Sequence, residues 1–388
     1  MNRIAALVLL ALAAPLAAAP LDKSQIPADV KWVVHADVEG FFASKMGTAV
    51  LDEARKQGLD AILGAVQAMF SFDPTKDLKS VAVFGTGFKD TQAVVLIRAR
   101  VDRDKMLKIL KANPGFQESK YGDHAVYSWQ DKAKEDKDDK DAKSEKEKGN
   151  KVELAMSPKC GCFWGEDVAL IAQDMDALKH AVDVLDKKAD SLAKEGVAGP
   201  LPTIAKGAWI VAGVKDIASA VQGAKDAATA KASKEQGCVA TTRVTTVAEP
   251  MFAFAQKVSA GSLQLGEADE KVFLNLSITA ADARTATDLR KIVEGFLALI
   301  DLVIDVQKDG KPAIPPEVAA ALKDVKVSCV DRTMTVEVAF PVKDVIAVIR
   351  AAVEQGKVKV GGAASGPAQL KVEMKVGGGP TPYTPTEN

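Results

Sequence analysis

Three segments in the first half of the chain recur, in the same order, in the second half, and a repeat of that kind constrains the plan before any single residue is considered. VKWVVHADVEGFFAS (Val30–Ser44) matches GAWIVAGVKDIASA (Gly207–Ala220), each an apolar strand with Trp at the third position turning into a helix. SVAVFGTGFKDTQAVVLIRARVDRDKMLKIL (Ser80–Leu110) matches SLQLGEADEKVFLNLSITAADARTATDLRKIV (Ser262–Val293). Each reads as strand, polar turn, strand, then a helix opened by an acidic residue. VALIAQDMDALKHAVDVL (Val168–Leu185) pairs with TVEVAFPVKDVIAVIRAA (Thr335–Ala352), again a strand running through an Asp-bearing corner into a helix.

Strand alternation sets the class. In AVVLIRARV, Val95, Ile97 and Ala99 alternate with Leu96, Arg98 and Arg100, giving an apolar face and a partly charged one. Near the C-terminus, Thr333, Thr335, Glu337 and Ala339 alternate with Met334, Val336, Val338 and Phe340. One-sided strands belong to antiparallel sheets with one covered face. The expected fold is therefore α+β: two similar tandem domains, each an antiparallel sheet with helices packed on one face. Asp102 and Asp282 stand where helix N-caps belong, three residues before Lys105 and Thr285. The stretch 286–306 reads as an amphipathic, core-facing helix, because Asp301 and Asp305 interrupt its apolar run.

The ends and the middle supply boundaries. Residues 1–19 combine Arg3, an apolar run from Ile4 to Ala14 and small residues at Ala17–Ala19, the pattern of a secretory signal peptide. That run is shorter than the roughly 20 residues a membrane span needs, so no integral span is expected, and the address is periplasmic or extracellular. The first repeat then occupies 20–199, the second 200–358, and a Gly/Pro/Thr-rich flexible tail 359–388. Within the first repeat, 131–150 is almost wholly Lys, Asp and Glu; with no apolar face to bury, it reads as a solvated, disordered insertion. The 51 basic and 52 acidic residues are interspersed and balance almost to zero, which removes the electrostatic case for a nucleic-acid partner.

Searching for chemistry yields little. GTGF at Gly85–Phe88 lies between two strands, not between strand and helix, so it is a hairpin turn and no phosphate cradle. Hydrolase, zinc-protease and nucleotide-binding motifs are missing, and no two of the three histidines are spaced one helical turn apart as a zinc pair. No cofactor, metal site or catalytic residue is assigned. His35, Asp37 and Glu39 form one polar cluster, but Asp37 is expected to begin a turn and Glu39 to be helical already. KCGCFWGED places Cys160 and Cys162 one residue apart, between strand-like VELAM and VALIA, as a hairpin tip. An exported chain with four cysteines favours disulfides, and Cys238 and Cys329 are the remaining two. A structural disulfide through Cys160 or Cys162 comes first, free thiols second, and a metal or redox role last.

IPADVKWVVHADVEGFFASKMG (Ile26–Gly47), FDPTKDLKSVAVFGTGF (Phe72–Phe88) and YGDHAVYSW (Tyr121–Trp129) resemble segments of a group of exported, functionally uncharacterised proteins of planctomycete-type bacteria. The resemblance implies an address and a plan but no reaction. The expectation is a non-enzymatic envelope protein that binds a protein or another ligand through its sheets or the groove between repeats. The alternative is a thiol-redox or metal-handling protein using Cys160 and Cys162.

Overall fold

In the computed structural model, described for residues 21–113, 115–130, 160–197, 199–222, 256–305, 323–354, 358–359 and 373–374, twelve strands form one sheet. The first half supplies β1 (Trp32–Asp37), β2 (Leu78–Gly85), β3 (Ala93–Ala99), β4 (Gln117–Tyr121), β5 (His124–Ser128), β6 (Cys160–Trp164) and β7 (Val168–Ala172). The second supplies β8 (Ala208–Lys215), β9 (Val258–Ala268), β10 (Lys271–Ala280), β11 (Lys326–Val330) and β12 (Thr333–Pro341). Their order is β11-β12-β10-β9-β8-β1-β2-β3-β7-β6-β5-β4, and every neighbouring pair is antiparallel. A two-residue pair, β13 (Val358–Lys359) and β14 (Glu373–Met374), stands apart.

Outward from the centre the order is β1-β2-β3-β7-β6 on one side and β8-β9-β10-β12-β11 on the other, with the β4–β5 hairpin added to the first. The signal pattern, the insertion 131–150 and nearly all of the tail lie outside the described residues. Where two separate sheets were expected, there is one. β1 and β8 pair directly, Val34 opposite Ala212 and His35 opposite Val211, so each covers the edge the other would have left open. That pairing joins residues far apart in the chain, and strand patterning, a local signal, does not report it.

Eight helices are used below: α1 (Val38–Ala43), α2 (Lys45–Lys56), α3 (Leu59–Phe70), α4 (Pro74–Asp77), α5 (Arg103–Lys111), α6 (Met175–Leu185), α7 (Ala283–Asp305) and α8 (Val342–Glu354). Side-chain caps start many of them. Asp37 accepts from the Gly40 N–H, Ser44 from Gly47, Asp73 from Thr75 and Asp174 from Asp176 and Ala177. The expected caps are in place: Asp102 accepts from the Lys105 N–H at 3.1 Å and Asp282 from the Thr285 N–H at 2.7 Å. The two halves are also tied beyond the sheet. Glu267 of β9 accepts from the backbone N–H groups of Lys45 and Met46 at the start of α2, and Arg350 of α8 donates to Glu53 of α2 at 2.9 Å.

Helices cover both faces of the first half, not one. The row His35, Ala82, Leu96, Leu170, Cys162 and Val126 runs across five ladders on a single face. It is closed by Leu178, Ala181, Val182 and Leu185 of α6 and by Leu21, Ile26 and Val30 of the incoming chain. The row Val34, Val83, Val95, Ile171, Gly161 and Tyr127 lies on the opposite face, where α3 and α5 approach. The physical reason is that β2, β3 and β7 are apolar on both sides, and both sides must leave water. In β3 the side bearing Arg98 is the more deeply buried at Leu96, whereas Val95 and Ile97 are only half-buried.

The second half keeps the one-sided character its alternation indicates. Met334 is fully buried against Ala286 and Leu289 of α7, while Thr279 faces Thr333 and Ser277 faces Thr335 on the polar side. The helix α7 is core-facing only in part, because Ile292, Phe296 and Leu299 are more than half exposed. Among the described residues no helix is long and apolar enough to cross a membrane.

Candidate functional site: an apolar cavity against the sheet

Between the half-buried face of the first half and helices α3 and α5 lies a cavity of 420 Å³. Its floor is Val81, Ile97, Ala169 and Ile171 from β2, β3 and β7. Val66 and Phe70 of α3 and Met106 and Leu110 of α5 form the roof, and Tyr127, Trp129 and Phe163 close one side. Five aromatic side chains, Phe70, Phe72, Tyr127, Trp129 and Phe163, line this space. A space of this size with apolar and aromatic walls is the usual form of a small-ligand site, and an apolar cavity stays dry and accepts apolar molecules.

The helices are placed by their own patterning. Arg103, Met106 and Leu110 fall at i, i+3 and i+7 of α5 and therefore share a face. Arg103 brings its guanidinium to 5.5 Å from the centre of the Phe163 ring, a cation–π contact at the cavity wall. Its Nη2 is buried and has no hydrogen-bond partner among the described residues. Phe163 meets Tyr127 edge-on at 6.2 Å, and Tyr127 stacks on Phe116 at 6.0 Å. Burial raises the Tyr127 phenol pKa, with Glu118 adding to the rise and the Arg103 charge opposing it.

Two other recesses differ in kind. A 660 Å³ cleft bordered by Asp77, Lys79, Arg100, Asp102 and Asp167 is polar, and Lys79 and Asp167 are already paired at 3.0 Å. A 290 Å³ apolar groove between β9, β10 and α8 repeats the apolar character on a smaller scale in the second half.

The cysteines stand elsewhere than the sequence implied. Cys160-Gly161-Cys162 is not a hairpin tip but the first three residues of β6; the turn follows at Gly165, whose φ of 56° suits glycine. VELAM lies outside the described residues. Cys160 and Cys162 both point into the core under α6, 2% and 3% exposed, and both thiols are free. The Cys160 thiol donates to the Ala172 carbonyl at 3.2 Å. Burial pushes both thiols up to about 11, away from the thiolate that redox exchange and metal binding require.

Cys329, also free, lies on β11, nine strand spacings from β6 along the sheet and on the opposite face by register. At about 4.8 Å per spacing that path is on the order of 40 Å, far beyond disulfide reach. Cys238 is outside the described residues. Among the described residues, then, no disulfide joins Cys160 or Cys162, and both stand as buried core thiols.

Gly161, between them, faces the cavity. A Cβ there would sit 3.0 Å from the Leu170 carbonyl oxygen and 3.3 Å from the Trp129 ring.

His35 is 3% exposed on β1, Asp37 is 1% exposed and caps α1, and Glu39 is exposed on that helix. The void beside His35 measures about 10 Å³, too small for a substrate. Among the described residues no group of three or more His, Cys, Asp or Glu side chains is arranged to hold a metal.

What the sequence did not single out is Arg103 and the aromatic wall. The available signal was the crowding of Phe and Trp residues around 70–72, 116–129 and 163 in an otherwise aromatic-poor chain.

No family model matches the chain, and no curated protein does. Solved structures of TP0453, a Treponema protein, align along most of its length. Crystal form III gives 9% identity, 86% of this chain, 99% of that chain and a TM-score of 0.35; form I gives 8%, 86%, 99% and 0.33. Form IV gives 9%, 85%, 97% and 0.34. Likeness of that degree carries no information about activity.

Proposed function

We propose that the protein is an exported, non-enzymatic binding protein of the cell envelope whose ligand is the hydrocarbon part of an amphiphile. The observation that carries this reading is the 420 Å³ apolar cavity between the sheet and helices α3 and α5. At about 30 Å³ per water-sized group, it has room for about a dozen methylenes in a single chain. The envelope address is supported by the N-terminal signal pattern. Neither the buried thiols nor the buried His35 offers a competing reactive centre.

Association costs about 4–15 kcal/mol, whereas each buried methylene returns only about 0.8 kcal/mol. Short chains therefore fail to bind, and long ones succeed until the cavity is full. Titration with a series of n-alkanols tests this. Affinity should rise about fourfold per added methylene and then level off. Absence of binding at every chain length would overturn the reading.

A further inference from the structure

We infer that the ligand of this cavity is a single-chain anion, a long-chain carboxylate whose head is received by Arg103; this rests on the apolar-ligand reading above. Three observations converge on it. Arg103 does not itself line the cavity, but it lies one turn before Met106 on the helix face that Met106 and Leu110 present to it, so it stands beside the end of that row. The guanidinium packs on Phe163, itself part of the wall, at 5.5 Å. Its Nη2 is buried without a hydrogen-bond partner among the described residues, and a buried cationic donor calls for an acceptor. The neighbouring carboxylates Asp102 and Asp104 are exposed, and Asp102 is engaged in capping α5.

A planar guanidinium matches a carboxylate through paired N–H donors, which an alcohol or an ammonium head cannot use in the same way. The volume admits one chain and is too small for a two-chain lipid.

The test compares heads at constant chain length. Dodecanoate, dodecanol and dodecyltrimethylammonium are titrated below their aggregation concentrations into the full-length protein and into Arg103→Gln and Arg103→Lys. Dodecanoate should bind wild type more tightly than dodecanol, by on the order of tenfold to a hundredfold, with the ammonium weakest. Arg103→Gln should abolish that preference, so that dodecanoate and dodecanol bind it alike, and Arg103→Lys should restore part of it.

Equal affinity of wild type for dodecanoate and dodecanol overturns the inference while leaving the apolar-ligand reading intact, as does a carboxylate preference that survives Arg103→Gln. Failure of all three probes to bind wild type overturns both. If Arg103→Gln does not fold, the comparison of heads on wild type still decides.

Discussion

The ring of Trp129 lies 3.3 Å from the point where a side chain on Gly161 would begin, so the middle residue of the Cys-Gly-Cys run is held open by the wall of the cavity. The three residues divide their labour by strand alternation: the two cysteines fill the core under α6, and the glycine leaves room for the Trp129 ring on the other side. Gly161→Val should push Trp129 into the cavity. The expected result is loss of alkanol binding together with a destabilisation of about 1–3 kcal/mol from overpacking, measured by titration and by denaturant unfolding. Unchanged affinity in this variant would mean that the ligand does not pass beneath Trp129.

Thiol labelling separates the core reading of the cysteines from a redox one. In the native protein an alkylating reagent should spare Cys160 and Cys162, whose thiols burial pushes up to about 11, and modify them only after denaturant is added. Peptide mapping identifies the sites. Rapid labelling of either residue at neutral pH, or recovery of a Cys160–Cys162 disulfide, would restore the thiol alternative.

A second network sets the acid limb of stability. Burial pushes the Asp186 carboxyl up, but hydrogen bonds from Lys188, Trp164 and His124, at 2.8–2.9 Å, outweigh it and hold the group down at about 2. A carboxyl lowered in the folded state stabilises fully above its unfolded value of about 3.9 and loses that contribution as pH falls towards 2. These contacts pin β5 and β6 to the end of α6. Asp186→Asn should therefore cost on the order of 1–3 kcal/mol at neutral pH and flatten the decline in stability between about pH 5 and 2. Denaturant midpoints for both proteins across that range check it, and an undiminished acid decline in the variant would assign the limb to other carboxylates.

The legible and illegible parts of the molecule divide along physical lines. Caps at Asp102 and Asp282, the hairpin after Gly85 and the one-sided character of β12 were readable because each depends on residues a few positions apart. The pairing of Val34 with Ala212 was not, since it joins strands far apart in the chain. Two-sided burial of β2, β3 and β7 was obscured because Arg98 marks as polar the face on which Leu96 is most deeply buried. Arg103 sits among charged neighbours at the start of α5 and looks in sequence like an ordinary solvated residue. Only the fold sets it against Phe163.

On the proposed reading the ligand lies against the sheet, beneath α3 and α5. The exposed apolar residues Ile292, Phe296 and Leu299 of α7 offer a rival surface. Photo-crosslinking with a diazirine-bearing dodecanoate, followed by peptide mass spectrometry, distinguishes the two directly. Adducts should fall on Phe70, Met106, Leu110 and Ile171, and should disappear when excess dodecanoate competes. Adducts confined to Ile292, Phe296 and Leu299, or labelling that excess dodecanoate does not reduce, would contradict binding in the cavity.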